Sequence, residues 1–289
     1  MSLRWHLILI VLLPILIVGG ILAAGMRVPV PEIGRGYVLR LPLPGAGQPI
    51  GLPTVYGPDD PAAPLVVIDA GHGGKDPGAV GSGVREKDIT LSLAKALKDQ
   101  LIEEGGIRVA MTREDDRLLA LSERPEIARR LEADLFLSIH ADSAGDTQDV
   151  SGASVYTLSN AASSQAAALF ARRENDADRV NGLALDNQSE EVSAILVELS
   201  QRRAQQDSGD FAGLVLRAGE GLIDFHPQPK RSASLAVLRA PDVPSALFES
   251  GFVTNPDEAE RLTSDEGRAQ FARAMASAIR LYFIRRGEI

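Results

Sequence analysis

The 289-residue chain has no cysteine, one tryptophan, four histidines and only 4% aromatic residues. Without cysteine there are no disulfides and no thiolate ligands, so any metal must be held by histidine and carboxylate. That absence suits an oxidising compartment without requiring one. Basic residues are also in short supply: 30 Lys and Arg against 39 Asp and Glu leave a net charge of −9. A nucleic-acid partner, which favours a basic face, is disfavoured by this balance, as is broad adhesion to anionic lipid.

Long apolar runs are missing too, except at the N-terminus, where Arg4 precedes an apolar segment from Leu7 to Gly25. Two readings fit it. A signal peptide would use Ala23 and Gly25 as the small residues before the cut. An uncleaved span needs about 17–25 apolar residues and would keep residues 7–25 in a membrane. Both imply export, with residues 1–26 as the targeting segment. Residues 27–64 are rich in proline and glycine (Pro29, Pro31, Pro42, Pro44, Pro53, Pro58, Pro61 and Pro64), which forbids a long helix and predicts an extended linker.

From residue 65 to 289, strand and helix patterns alternate. Strands are expected at 65–69, 108–112, 135–139, 155–158, 235–238 and 246–248. Helices are expected at 87–103, 123–132, from after 158 to about 173, and at 271–284. The periodicity of Ile89, Leu93, Leu97 and Leu101 carries the first of these helices. Such alternation builds an α/β fold, an open, mostly parallel mixed sheet flanked by helices on both faces. Residues 173–224 break the rhythm. Two helices, 187–205 and roughly 210–225, are expected there as a helical insertion before the last strand of the site.

Chemistry gathers at strand ends, where sites of open α/β sheets lie. The apolar run before Asp69 stops at His72 among glycines, and the run Leu135–Ile139 stops at His140. Glu86 opens a helix, where the helix dipole favours its ionised form. A lone histidine at a strand end is more often hydrogen-bonded structure than a ligand. Two histidines and a carboxylate together, however, match the ligand set of a catalytic zinc site with one position open for water. Glu249, after the apolar Ala246–Phe248, is the candidate to move that water's proton. His226 lies outside these blocks. The glycines around His72 lack the following Gly-Lys-Ser/Thr of a phosphate loop.

The blocks Val67–Ala79, Glu86–Ile89, Met111–Arg113, Phe136–Ala141 and Pro244–Pro256 closely resemble the zinc-dependent N-acetylmuramoyl-L-alanine amidases of the cell-separation type, in the family's order and over about residues 65–283. The resemblance implies Zn2+ held by His72, Glu86 and His140, and Glu249 as the catalytic carboxylate. It also implies hydrolysis of the peptidoglycan amide between the lactyl group of muramic acid and L-alanine, in the periplasm, with inner-membrane association if residues 7–25 are retained. Ala70, Asp142 and Ser250 stand where the family commonly has proline, asparagine and threonine, and none of these departures removes a ligand. Periplasmic members switched by partner proteins often carry a helical insertion where this chain has residues 173–224. The expectation is therefore an autoinhibitory plug relieved by an activator protein, with Glu191 or Glu190 as the residue that reaches the metal.

Two other classes remain open from the sequence. A zinc carboxypeptidase shares the metal logic but needs an arginine for the substrate carboxylate and a different ligand spacing. A catalytically dead wall-binding protein would be expected to have lost one of the four site residues.

Overall fold

Seven strands form one sheet, in the spatial order Val55–Tyr56 (β1), Arg108–Met111 (β5), Leu65–Ala70 (β2), Leu135–Asp142 (β6), Ser245–Phe252 (β9), Ala153–Leu158 (β7) and Phe225–Ala233 (β8). The computed structural model describes residues 51–145, 147, 149–180 and 194–289. A small hairpin pairs β3 (Val80–Gly81) with β4 (Val84–Arg85). The helices are α1 (Glu86–Glu104), α2 (Glu123–Arg130), α3 (Gln165–Val180), α4 (Ala194–Ala218), α5 (Pro256–Thr263) and α6 (Asp265–Arg286). The central strands β5, β2, β6 and β9 run parallel, β7 pairs antiparallel with β9, and β8 returns parallel to β7. Among the described residues no helix is long and apolar enough to cross a membrane. The apolar run 7–25 lies outside the described residues.

Alternation along the strands divides the core in two. Val66 and Ile68 of β2, Leu137 and Ile139 of β6, and Phe248 of β9 face α1, α4 and α6. Val67, Phe136, Leu247 and Tyr156 face the opposite side, against α2 and α3. Side chains such as Phe136, Phe211 and Phe283 are wholly buried, each worth about 1.5–3 kcal/mol of burial. Because β2, β6 and β9 are parallel, their carboxyl ends lie together, with Asp69 opposite Ser138 and His140 opposite Glu249. Ser138, His140, Tyr156 and Glu249 therefore share the face that α3 covers.

Three expectations change. Over the described residues, the two helices expected on either side of Gln205–Gly209 are one, α4, continuous through that stretch. No proline interrupts it, and Ser208 bonds back to the Ala204 carbonyl at 2.6 Å while accepting the Ser245 amide at 2.8 Å. Phe211, Ala212, Leu214 and Val215 of α4 sit in the main core, so this helix is the crossover that parallel β7 and β8 require rather than an appendage. Secondly, β8 occupies residues expected to end a helix or to be loop. Pro227, Pro229, Lys230 and Arg231 disguise it, and they are tolerated because it is an edge strand. Thirdly, Leu235–Leu238 gives a short 3-10 turn at Ala236–Leu238 instead of a strand. The sheet also takes in Val55–Tyr56, inside the proline-rich stretch, paired antiparallel with β5.

Candidate active site

His72 leaves β2 in the left-handed region, φ 59°, a conformation that L residues adopt only when their surroundings impose it. Its Nδ1 lies 2.9 Å from Asp76 Oδ2, which assigns the ring's proton to that side and leaves Nε2 as a lone-pair donor. That Nε2 is buried without a hydrogen-bond partner, although Glu86 Oε2 is 3.1 Å away. His140, at the end of β6, places Nδ1 3.0 Å from Glu86 Oε1. Glu86 is itself fixed by the backbone amides of Ala79, 2.7 Å from Oε2, and Ala141, 2.9 Å from Oε1. The structure thus brings together His72, Glu86 and His140, the three residues the sequence singles out.

Two glycines make this convergence sterically feasible. A Cβ on Gly71 would stand 2.6 Å from the His140 ring, and one on Gly78 would stand 2.6 Å from both Glu86 Oε2 and the His72 ring. Gly78 also needs its positive φ of 64°.

A further carboxylate joins the group. Glu174 of α3 points Oε2 at His140 Nδ1 (3.4 Å) and His72 Nε2 (3.7 Å), and the ligand atoms of His72, His140 and Glu174 all lie within 4.8 Å of one another. Glu174 was not anticipated from sequence, but a signal for it exists. Ala167, Phe170 and Ala171 form the buried stripe of α3, and Glu174 falls on the next turn of that stripe, where an acid is out of place unless it has a partner. Glu190 and Glu191, the residues expected to reach the metal, lie outside the described residues.

Glu249 lies opposite His140 in the β6–β9 ladder, and both its carboxylate oxygens are buried without a hydrogen-bond partner. Burial pushes its pKa well above the carboxylate range, and the carboxylates of Asp142, Glu86 and Glu174 push the same way. Burial works against a charged His72, but Glu86 and Asp76 outweigh it and hold the imidazole well above its ordinary value. Burial likewise opposes ionised Glu86, yet His72 and His140 hold it well below the usual range. Negative groups outnumber positive ones here, and the chain alone offers too little compensating charge. Such a cluster of N and O donors suits a divalent cation. Ser250 Oγ donates to the His140 carbonyl at 2.8 Å and so ties β9 to the end of β6. His226 lies on β8 and accepts the Gln228 amide at 3.0 Å, outside the cluster.

Residues 66–280 match the N-acetylmuramoyl-L-alanine amidase family. The amidase AmiC of Neisseria meningitidis is 38% identical over 221 residues, covering 76% of this chain and 52% of that protein, so the chain spans about half of that relative. AmiA of Escherichia coli is 35% identical over 264 residues, covering 87% of this chain and 91% of AmiA. Among solved structures, the amidase AmiC2 of Nostoc punctiforme superposes with a TM-score of 0.55 at 29% identity, over 77% of this chain and 98% of that one. The motifs, their order, the sheet and the matched length agree: the chain belongs to the N-acetylmuramoyl-L-alanine amidase family.

Proposed function

We propose that this chain is a zinc-dependent peptidoglycan amidase held in an autoinhibited state by Glu174, and that it serves wall remodelling and daughter-cell separation in the periplasm. The observation that carries the reading is the unpartnered, buried Nε2 of His72, facing Glu86 and Glu174, with its other ring nitrogen anchored by Asp76. His72, Glu86 and His140 are the proposed ligands. Zinc bound there supplies a Lewis acid that polarises a carbonyl and brings a water's pKa to about 7.

The chain's own residues do the rest. Glu249 takes a proton from the attacking water and delivers it to the departing nitrogen of L-alanine. The C–N bond breaks, leaving a carboxylate on the lactyl group and a free amino terminus on the stem peptide. The raised pKa of Glu249 favours holding the proton until it is delivered to the departing nitrogen.

Glu174 Oε2 stands among the proposed ligands, 3.4 Å from His140 Nδ1 and 3.7 Å from His72 Nε2, and a carboxylate is an acceptable zinc ligand, so Glu174 would compete there with water and substrate. Its neighbour Arg173 clamps α3 in place, pairing with Asp142 and donating to the Ser143 carbonyl at 3.1 Å. Asp142, an aspartate where the family commonly has asparagine, therefore gives the helix an ion pair. An activator protein that binds the undocked form of α3 would shift the population towards the open site in proportion to its differential affinity. Export rests on residues 1–26, as signal peptide or inner-membrane anchor, and the linker that follows ends before Val55–Tyr56, which already belong to the sheet of the catalytic domain.

The test is digestion of purified sacculi by the zinc-loaded protein, with mass analysis of the released material. The reading requires stem peptides with free L-alanine amino termini. Release of terminal amino acids would indicate a carboxypeptidase, and retention on the wall without cleavage would indicate a binding protein.

A further inference from the structure

Arg113 is wholly buried beside the site, yet no step of the hydrolysis uses it. Its donors go almost entirely to backbone carbonyls. Nε donates to Ala70 O at 2.9 Å, and one terminal nitrogen reaches Gly71 O at 2.8 Å and Lys87 O at 2.9 Å, with Thr90 Oγ1 at 3.2 Å. The other terminal nitrogen donates to Asp115 O at 3.0 Å. Gly71 immediately precedes His72, and Lys87 immediately follows Glu86. One guanidinium nitrogen thus ties the chain beside one proposed ligand to the chain beside another.

The His72 loop needs such a tie. His72, Gly73 and Gly74 have φ of 59°, 131° and 60°, so the loop has no repeating hydrogen-bond ladder of its own. A buried carbonyl without a donor is costly, and left-handed backbone at a non-glycine residue persists only where neighbours over-determine it. Arg124 donates to Ala70 O and His72 O, both at 2.8 Å, and pairs with Asp69, which fixes the loop to its own strand. The link to α1 is separate. At the Gly71–Gly74 end it is made by Arg113, Thr90 Oγ1 donating to Gly71 O at 2.9 Å and Lys87 Nζ donating to Gly74 O at 2.7 Å, while farther along the loop the Glu86 and Lys87 amides donate to Ala79 O at 2.8 Å and Pro77 O at 3.1 Å. Burial and the nearby Arg124 push Arg113 down to about 10, so it stays cationic at neutral pH.

We propose that Arg113, seconded by Thr90, is a positioning residue that fixes the His72 loop against the first turn of α1 and so sets the separation of His72 from Glu86. The inference rests on reading those two residues as zinc ligands. A planar fork with five fixed donors can meet these four carbonyls at once, and a lysine's three-donor ammonium at the same place cannot.

The experiment is a competition titration of zinc against a chromophoric chelator, on the full chain, for wild type, Arg113→Met, Arg113→Lys and Thr90→Val. Melting curves of the metal-free proteins are recorded alongside. Loss of an outer-shell support weakens metal binding about 10–100-fold, which is expected for Arg113→Met, with Arg113→Lys in between. Thr90→Val, which removes one hydroxyl at constant shape, is expected to weaken zinc about fivefold. A merely structural arginine would lower the metal-free melting temperature and leave the zinc Kd of the folded protein unchanged. Wild-type affinity in folded Arg113→Met overturns the inference. If Arg113→Met does not fold, a Thr90→Val affinity within about twofold of wild type overturns it instead. Failure of the wild-type protein to bind zinc overturns the ligand reading and this inference together, a result distinct from the other two.

Discussion

Glu174 Oε2 stands 3.4 Å from Nδ1 of His140, so a side chain of helix α3 enters a site otherwise built from the ends of strands and the start of α1. A contact of this kind competes with whatever else approaches those ligands. Glu174→Ala should therefore raise wall hydrolysis by the isolated protein, by about tenfold if the docked state is favoured by about 1.4 kcal/mol. Rates of dye release from labelled sacculi, at equal zinc occupancy, measure it. A variant no faster than wild type removes Glu174 from regulation.

The proposed ligands come from three separate elements, and none can stand in for another. Because Glu174 could itself replace a lost ligand, the test uses the Glu174→Ala background, where adding His72→Ala, Glu86→Ala or His140→Ala should each leave the folded protein without stoichiometric zinc, two protein ligands remaining where three are needed. Metal analysis after dialysis against zinc-free buffer checks this. Full zinc content in Glu174→Ala/His140→Ala would break the assignment.

Glu249→Gln keeps the shape of the side chain and removes its ability to take a proton. Zinc should stay bound while turnover falls roughly 10²–10⁴-fold. Near-normal turnover with zinc in place would put the base elsewhere.

Asp69 lies beneath the site, fully buried, accepting from Thr112 Oγ1 at 2.6 Å, Ser138 Oγ at 2.7 Å and Arg124 at 2.8 Å. Burial favours its neutral form, but Arg124 and the two hydroxyls outweigh burial and hold its pKa below the usual value. A depressed folded pKa gives stability that is present above the unfolded carboxylate pKa of about 3.9 and is lost as pH falls through the lower folded value. Asp69→Asn also strands Arg124 in the interior and should cost about 3–5 kcal/mol at neutral pH. Denaturant titrations across the acid range should show that deficit shrinking as pH drops below about 4. A deficit constant with pH would contradict the assignment.

Much of this was legible before any coordinates. Parallel strands read as short apolar runs, and ending such a run in His72 or His140 is conspicuous because the chain has so few histidines. Glu86 and Glu249 follow from the same logic of element ends. Residues whose roles depend on faces were harder to see. Glu174 required the α3 stripe to be read to its last turn and its acid taken seriously. Arg113 and Arg124 were hidden because hydrogen bonds to loop carbonyls leave no periodicity. The unity of α4 was obscured by a polar stretch at Gln205–Gly209 that in fact caps nothing. One consequence is practical: removing residues 186–223 to delete a plug would also remove Phe211, Leu214 and Val215 from the core. A substitution at Glu174 is the cleaner probe.

The His72, Glu86 and His140 site, with Glu249, is proposed to hydrolyse the muramoyl–L-alanine amide under restraint by Glu174. The most direct measurement is the rate at which new L-alanine amino termini appear on purified sacculi, quantified by end-group labelling and mass analysis. It compares zinc-loaded wild type, Glu174→Ala and the double variant Glu174→Ala/Glu249→Gln. The account predicts slow release by wild type, faster release by Glu174→Ala, and near-complete loss when Glu249→Gln is added. Absence of L-alanine termini with all three proteins, or undiminished release by the double variant, would contradict it.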